Sequence, residues 1–271
     1  MSDSFGSWTL DALIAAGGLG EIWRAHRASE QAALKRIHTH LLRNEEAREQ
    51  FQQEQMLAMA LPRHPNLVHA IETDKVDDRP YVALELAPGE DLRRTLMPSP
   101  SEKQPQRAII PRTRAIGIVR ETCAGATHMH KHGWVHGDIN HSNLVVDAQP
   151  TGDRVVLIDL GIARRIGESG TPRGTHAYMS PEQIRGEAWS PALDVFALGV
   201  VLYELLANQR LFHRGPSYLS MQAVMTHEPA PLADPELNAI VQRALAKDRA
   251  ARIQTPAELS TLLGQLSRQV S

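Results

Sequence analysis

His136-Gly137-Asp138-Ile139-Asn140-His141-Ser142-Asn143 lies between a stretch patterned as a helix, ending at Gly133, and a very apolar run, Leu144-Val145-Val146. An acid and an amide five residues apart, on a loop leading into a buried strand, suggest a base and a metal ligand held on one rigid turn. Beyond that strand a second apolar run, Val155-Val156-Leu157-Ile158, ends in Asp159-Leu160-Gly161. Two strands, each with an acid or amide at its mouth, suit a site for a divalent cation, which takes oxygen ligands, and a phosphate.

Working outward, Ala33, Lys35 and Ile37 share one face of an extended segment, because side chains alternate with period two. That places an ammonium on a mostly apolar face, which is costly without a partner. Residues 45–61 are patterned as a helix whose stripe is Ala47, Phe51, Glu54, Ala58 and Leu61. A lone cation and a lone anion on apolar surfaces invite pairing, although each could instead reach solvent along its own stem. The turn Ala15-Ala16-Gly17-Gly18-Leu19-Gly20-Glu21-Ile22 is rich in glycine, which lets backbone N–H groups approach a phosphate. A strand follows it, not a helix, and no G-x-x-x-x-G-K-[ST] loop is present, which argues against a dinucleotide fold and a P-loop.

The 271 residues can bury a substantial core as one large domain or two lobes. With 29 basic and 31 acidic residues, no whole-chain field points to nucleic acid or an anionic membrane. The single cysteine, Cys123, rules out an intrachain disulfide framework and suits a reducing compartment. The longest apolar stretch, Ala192 to Leu206, contains Asp194 and Glu204 and is shorter than the ~20 residues of a spanning helix. The N-terminus lacks the pattern of a signal peptide. The expectation is a soluble, cytoplasmic protein.

Strands are predicted at Trp8-Thr9-Leu10, 22–25, 33–37, 67–72 and 81–86, with the helix at 45–61 among them. From Pro88 the character becomes helical, with helices over 113–130, 181–186, 192–207, 217–227, 235–246 and 256–267. Pro98 to Pro111 reads as an exposed loop, and Gly167 to Gly174 shows no periodicity. The pattern is a small β-rich lobe followed by a larger helical lobe.

These segments together resemble a protein kinase of the eukaryotic-like (Hanks-type) serine/threonine class found in bacteria. The family's signatures occur here in order: Gly17/Gly20 with Ile22, Ala33-Leu34-Lys35, Glu54, His64-Pro65-Asn66, Pro80 to Ala87, the stretch at 136–143, Asp159-Leu160-Gly161, Gly174 to Gln183, Asp194 to Gly199, and Arg252. The resemblance implies an α+β two-lobed fold. A small antiparallel sheet with one long helix (8–86) would precede a larger, mainly helical lobe (87–271), in a single domain over 1–271 with an activation segment at 159–182. It implies phosphoryl transfer from ATP with Mg²⁺ (or Mn²⁺) to a serine or threonine of a protein. Asp138 would be the base, with Asn143 and Asp159 on the metal and Lys35 on the phosphates, oriented by Glu54. Gly17, Gly18, Gly20, Ile22 and Ala33 would line the ATP site, with Leu84 as gatekeeper and the backbone of Glu85 and Ala87 on adenine. Arg252 would pair with Glu182, and Thr175 would contact Asp138. Ser169 and Thr171 would be open to autophosphorylation.

Three departures qualify this. Gly137 stands where the family has an arginine that grips a phosphorylated activation loop, so activation without such phosphorylation is expected. Asn140 stands where a lysine serves the γ-phosphate. Losing that cation could slow transfer by roughly 10²–10³-fold. Leu160 replaces a phenylalanine in an apolar packing role. Two other readings therefore stand beside the active kinase: a pseudokinase or nucleotide-binding scaffold, and a small-molecule phosphotransferase of the aminoglycoside-kinase type, whose loop also runs His-Gly-Asp…Asn. Gly174–Gln183, the Asp194 helix and Arg252 weigh against the latter.

His128, His130, His132, His136 and His141 crowd one region, but no cysteine or carboxylate completes a zinc set at known spacing, and the family makes His130 and His136 structural. Trp23, Trp134 and Trp189 read as core or interface. Neither nucleic acid nor a membrane segment is implied. Relatives often carry a membrane helix and sensor domain after the kinase, and neither follows here. Regulation in trans, constitutive action or a longer parent chain are the expectations. A regulatory partner or homodimer is compatible with the family, and no residue argues for either.

Overall fold

The residues around the glycine turn form three long strands, joined at their N-terminal edge by a short one that the pattern does not predict. A computed structural model of the protein describes residues 3–96, 108–150 and 152–268. Most of the loop read at Pro98–Pro111 lies outside the described residues. Strands β1 (Asp3–Phe5), β2 (Trp8–Ala16), β3 (Gly20–Arg27) and β4 (Glu30–Ile37) are followed by helix α1 (Glu45–Ala60), β5 (Ala70–Val76) and β6 (Arg79–Glu85). The six strands make one antiparallel sheet in the order β1-β2-β3-β4-β6-β5. The fifth strand starts at Ala70, not Leu67, because the chain first reverses between His64 and Leu67, where the Leu67 N–H bonds the His64 carbonyl at 3.1 Å.

Helix α1 begins where Asn44 accepts a hydrogen bond from the Ala47 N–H, with Glu45 and Glu46 in the first turn. It ends before Pro62, whose ring disfavours a helical conformation at Leu61. One sheet face buries Trp8, Leu10, Ala25, Ala32, Leu34, Tyr81 and Ala83 together with Phe5. The other carries Lys35 opposite Ile22 on β3 and Val82 on β6, and Ala33 opposite Leu84.

The chain divides into two compact units. One runs to Pro88 and takes in Asp159–Gly161; the other starts at Gly89 and holds the rest. The second contains β7 (Glu90–Asp91), α2 (Leu92–Leu96), α3 (Arg112–Lys131), β8 (Trp134–Val135), β9 (Leu144–Gln149), β10 (Gly152–Leu157), β11 (Arg164–Arg165), α4 (Pro181–Ile184), α5 (Pro191–Ala207), α6 (Ser217–Thr226), α7 (Pro235–Ala244) and α8 (Pro256–Arg268). β9 pairs antiparallel with both β10 and β7, and β11 pairs with β8. The two-residue strands are too short to show a period, so no sequence pattern announces them.

Helix α5 is buried all round from Ala192 to Leu205, as a helix apolar on every face should be. It ends at Asn208, whose φ of 52° is the left-handed stop that asparagine tolerates. α3 packs against α5, α8 and β10. Among the described residues no helix is long and apolar enough to cross a membrane.

Candidate active site

In the first unit the pairing suggested by two isolated charges is present. The Lys35 ammonium donates to Glu54 at 2.5 Å and to Asp159 at 2.9 Å. Burial works to lower the lysine's pKa, but the Asp159 and Glu54 carboxylates outweigh it and hold it above its ordinary value. Burial raises Glu54, with the charge of Asp159 adding to it and Lys35 opposing. Glu54 Oε2 lies against the Gly161 backbone. A Cβ at residue 161 would sit 3.0 Å from that oxygen and 3.2 Å from Asp159 Oδ1, so glycine is what lets the three groups converge. The Gln50 side chain donates to the Gly161 carbonyl at 3.0 Å, tying α1 to the segment. Asp159 itself has a φ of +67°, a strained conformation for a residue with a side chain.

The glycine turn divides in two. Gly17 and Gly18 face open space, where an added Cβ would meet nothing within 4 Å. Gly20 is different: a Cβ there would come within 2.3 Å of the Arg36 carbonyl, so the sheet itself requires glycine at this place. Glu85 spends its N–H on the His69 carbonyl at 2.9 Å, fixing the end of β6, and Ala87 follows outside any strand.

In the second unit Asp138 is held from two sides. Its Oδ1 accepts from the Thr175 backbone N–H at 2.7 Å, and its Oδ2 accepts from the Asn143 amide at 3.0 Å. Asn143 also donates to the Asp138 carbonyl at 2.9 Å. With its nitrogen so used, the Asn143 amide oxygen is the atom left to face a cation. An amide oxygen is a hard donor of the kind Mg²⁺ takes, and so, in the first unit, is the Asp159 carboxylate, so each residue by its chemistry fits such an ion.

Thr175 does contact Asp138, but through its backbone. Its hydroxyl accepts from Asn140 Nδ2 at 3.1 Å. The same nitrogen donates to the Asp138 carbonyl at 3.0 Å, while Asn140 Oδ1 accepts from the Ser142 N–H at 2.9 Å. The sequence marks Asn140 as a missing cation; its bridging of Asp138 and Thr175 appears only in the fold.

Two further supports lie in stretches the sequence marks, but what they hold shows only in the fold. Asp194, fully buried on α5, accepts from the backbone N–H groups of His136 and Gly137 at 2.9 and 2.8 Å and from His130 at 2.7 Å. Burial tends to raise its pKa, yet His130, His136 and the Gly137 amide hold it below the usual value. Gln183 donates to the carbonyls of Gly137 at 2.9 Å and Arg173 at 2.6 Å. The crowded histidines are accounted for within the protein. His136 accepts from the Asp138 N–H through Nδ1 and donates from Nε2 to the Ile158 carbonyl at 3.1 Å, while His141 lies 3.3 Å from the Tyr178 hydroxyl. Glu182 forms two bonds with Arg252, at 2.6 and 2.9 Å. Ser169 and Thr171 are exposed.

Residues 8–261 match the Protein kinase domain family. The chain belongs to that family. Among similar kinases, the serine/threonine-protein kinase PknB of Mycolicibacterium smegmatis is 31% identical over 93% of this chain and 41% of its own length. A probable serine/threonine-protein kinase of Streptomyces coelicolor is 32% identical over 94% and 39%, and PknJ of Mycobacterium tuberculosis 27% over 94% and 44%. This kinase chain thus spans about two fifths of the length of these relatives.

Proposed function

We propose that this kinase transfers the γ-phosphoryl group of ATP to serine or threonine hydroxyls of protein substrates. The observation that carries this reading is the Thr175 amide on Asp138. That bond joins Asp138 to the segment from Gly174 to Gln183, on which a peptide would lie, and this supports Asp138 as the base. The substrate hydroxyl oxygen bonds to the γ-phosphorus, the bond from that phosphorus to the β–γ bridging oxygen breaks, ADP leaves, and the hydroxyl proton passes to Asp138. Asn143 orients Asp138 through its Oδ2. Lys35, kept cationic by Glu54 and Asp159, binds the α- and β-phosphates, and Gly17 to Gly20 cover them. Asn143 and Asp159 would hold Mg²⁺ (or Mn²⁺), which would supply charge neutralisation when bound. Ile22, Ala33, Leu84 and the backbone of Glu85 and Ala87 form the adenine side.

Activation does not require a phosphate on the activation segment: residue 137 offers no cation to bind one, and Thr175 already reaches Asp138. The single cysteine, Cys123, is free and buried, which suits a cytoplasmic site of action. One observation favours a pseudokinase: Asn140 carries no charge and bonds both polar atoms to Asp138, Ser142 and Thr175, leaving no cation at that place for the γ-phosphate. Labelled ATP with a generic protein substrate separates the readings. Transfer to protein that Asp138→Ala abolishes supports the active kinase, ATP binding without any transfer supports the pseudokinase, and transfer only to small molecules refutes both.

A further inference from the structure

Gly137 has a φ of +78°, and a Cβ built on it would lie 2.3 and 2.4 Å from two ring carbons of Trp189. A side chain at 137 and an indole at 189 therefore exclude each other. Trp189 is 1% exposed and packs with Val135, Leu193 and Ile162. It is also tied to the activation segment by its backbone in both directions. The Trp189 N–H donates to the Glu168 carbonyl at 2.8 Å, and the Gly167 N–H donates to the Trp189 carbonyl at 2.9 Å. Arg164, on β11, lays its guanidinium over the same ring at 5.0 Å from the centroid. Its neighbour Arg165 covers Trp134 at 4.4 Å.

One indole thus touches the catalytic loop at Gly137, carries the start of the segment on its main chain, and holds Arg164 on its face. Buried aromatic area and a cation over a ring are permanent attractions that need no modification to switch them on. The far end of the segment is fixed separately, by Gln183 on Gly137 and Arg173 and by Thr175 on Asp138. We propose that Trp189, seated over Gly137, is a positioning residue that holds residues 164–175 in place, so that Asp138 receives the Thr175 amide without a phosphate on the segment. This rests on the reading of Asp138 as the base of a kinase.

The test uses the full chain, phosphatase-treated and untreated, with Trp189→Ala, Trp189→Phe and Gly137→Ala. Amide exchange is followed in residues 162–178 and, as a reference, in α3, beside kcat and KM for ATP. In Trp189→Ala, exchange over 162–178 should rise while α3 stays protected, and kcat should fall about tenfold or more with KM for ATP within about twofold. Trp189→Phe should recover most of both. Gly137→Ala, which pushes the ring from its seat, should loosen the same residues even if Trp189→Ala fails to fold. Phosphatase treatment should leave wild-type kcat unchanged. Unchanged exchange over 162–178 in Gly137→Ala, or wild-type activity lost to phosphatase, overturns the proposal. A wild-type protein that transfers no phosphate instead removes the kinase reading, and the exchange measurements still decide whether Trp189 holds the segment.

Discussion

The Asn140 amide donates to the Thr175 hydroxyl at 3.1 Å while the Thr175 N–H bonds Asp138 independently. The two residues share the work of fixing Asp138, and not equally. Asn140→Ala removes three hydrogen bonds, one of them to the Ser142 N–H, and should cost about 1–3 kcal/mol of stability. With Asp138 loosened, kcat should fall about tenfold or more. Thr175→Ala keeps the backbone bond to Asp138 and should lose less. Steady-state kinetics and thermal denaturation of both variants check this; an equal loss in kcat would show that the Thr175 hydroxyl, not its amide, matters to Asp138.

Lys35 and Glu54 are both buried, so removing one strands the other. Lys35→Met should abolish ATP binding and cost about 3–5 kcal/mol, because Glu54 loses its cation. Adding Glu54→Leu removes the stranded carboxylate and should regain part of that loss without restoring ATP binding. Urea denaturation gives the comparison. A double variant less stable than Lys35→Met would mean that Glu54 is not left uncompensated.

The parts legible in the sequence were those with a period or a fixed order of motifs. The stripe from Phe51 to Leu61 gave α1, and the alternation at 33–37 gave β4 with Lys35 and Ala33 on one face. Two lone charges on apolar surfaces left pairing and solvent both open for Lys35 and Glu54, and the resemblance to kinases chose the pairing that the fold shows. What stayed hidden depends on contacts between residues far apart in the chain. Asp194 lies 58 and 57 residues from the two amides it holds. Trp189 lies far along the chain from Gly137, and the cost of a side chain at 137 is visible only once the indole is in place. Asn140 reads in sequence as an absent lysine, because its hydrogen bonds are set by a turn that no periodicity describes.

Lys247 gives a test in alkali. Its ammonium lies 4.3 Å from the Phe212 ring centroid and 5.4 Å from that of Phe196, buried with no hydrogen-bond partner among the described residues. Burial pushes its pKa down to about 8, with Glu228 opposing and Arg252 adding to the fall. The unfolded chain holds this proton up to the ordinary value of 10.5, so between the two values it binds more protons than the folded protein. Stability therefore gains as pH rises through about 8 towards 10.5, and the handicap is full below 8. Relative to Lys247→Met, the wild type should gain on the order of 1 kcal/mol between pH 7 and 10, allowing for partial exposure. Parallel stability curves for the two proteins across that range would sink the idea.

The Arg252–Glu182 pair should be the least replaceable contact of the second unit. Both side chains are wholly buried, and Arg252 also donates to the carbonyls of Ala192 and Ala246 at 2.9 Å each. Burial alone would raise Glu182, but the bonds and charge of Arg252 hold it below the usual carboxylate range. Arg252→Lys keeps the charge and loses the two-pronged fit, so it should cost about 2–3 kcal/mol, against about 3–5 for Arg252→Met. Because Glu182 adjoins Gln183, which holds Gly137 and Arg173, kcat should fall in both variants, and further in Arg252→Met. The acid limb identifies the cause. A carboxyl held below its unfolded pKa stabilises above about 4.5, and that stability is lost as pH falls through the lower folded value. The gap between wild type and Arg252→Met in chemical denaturation should accordingly be widest at neutral pH and shrink in acid; a gap that stays constant to pH 3 would assign the loss to packing and not to the ion pair.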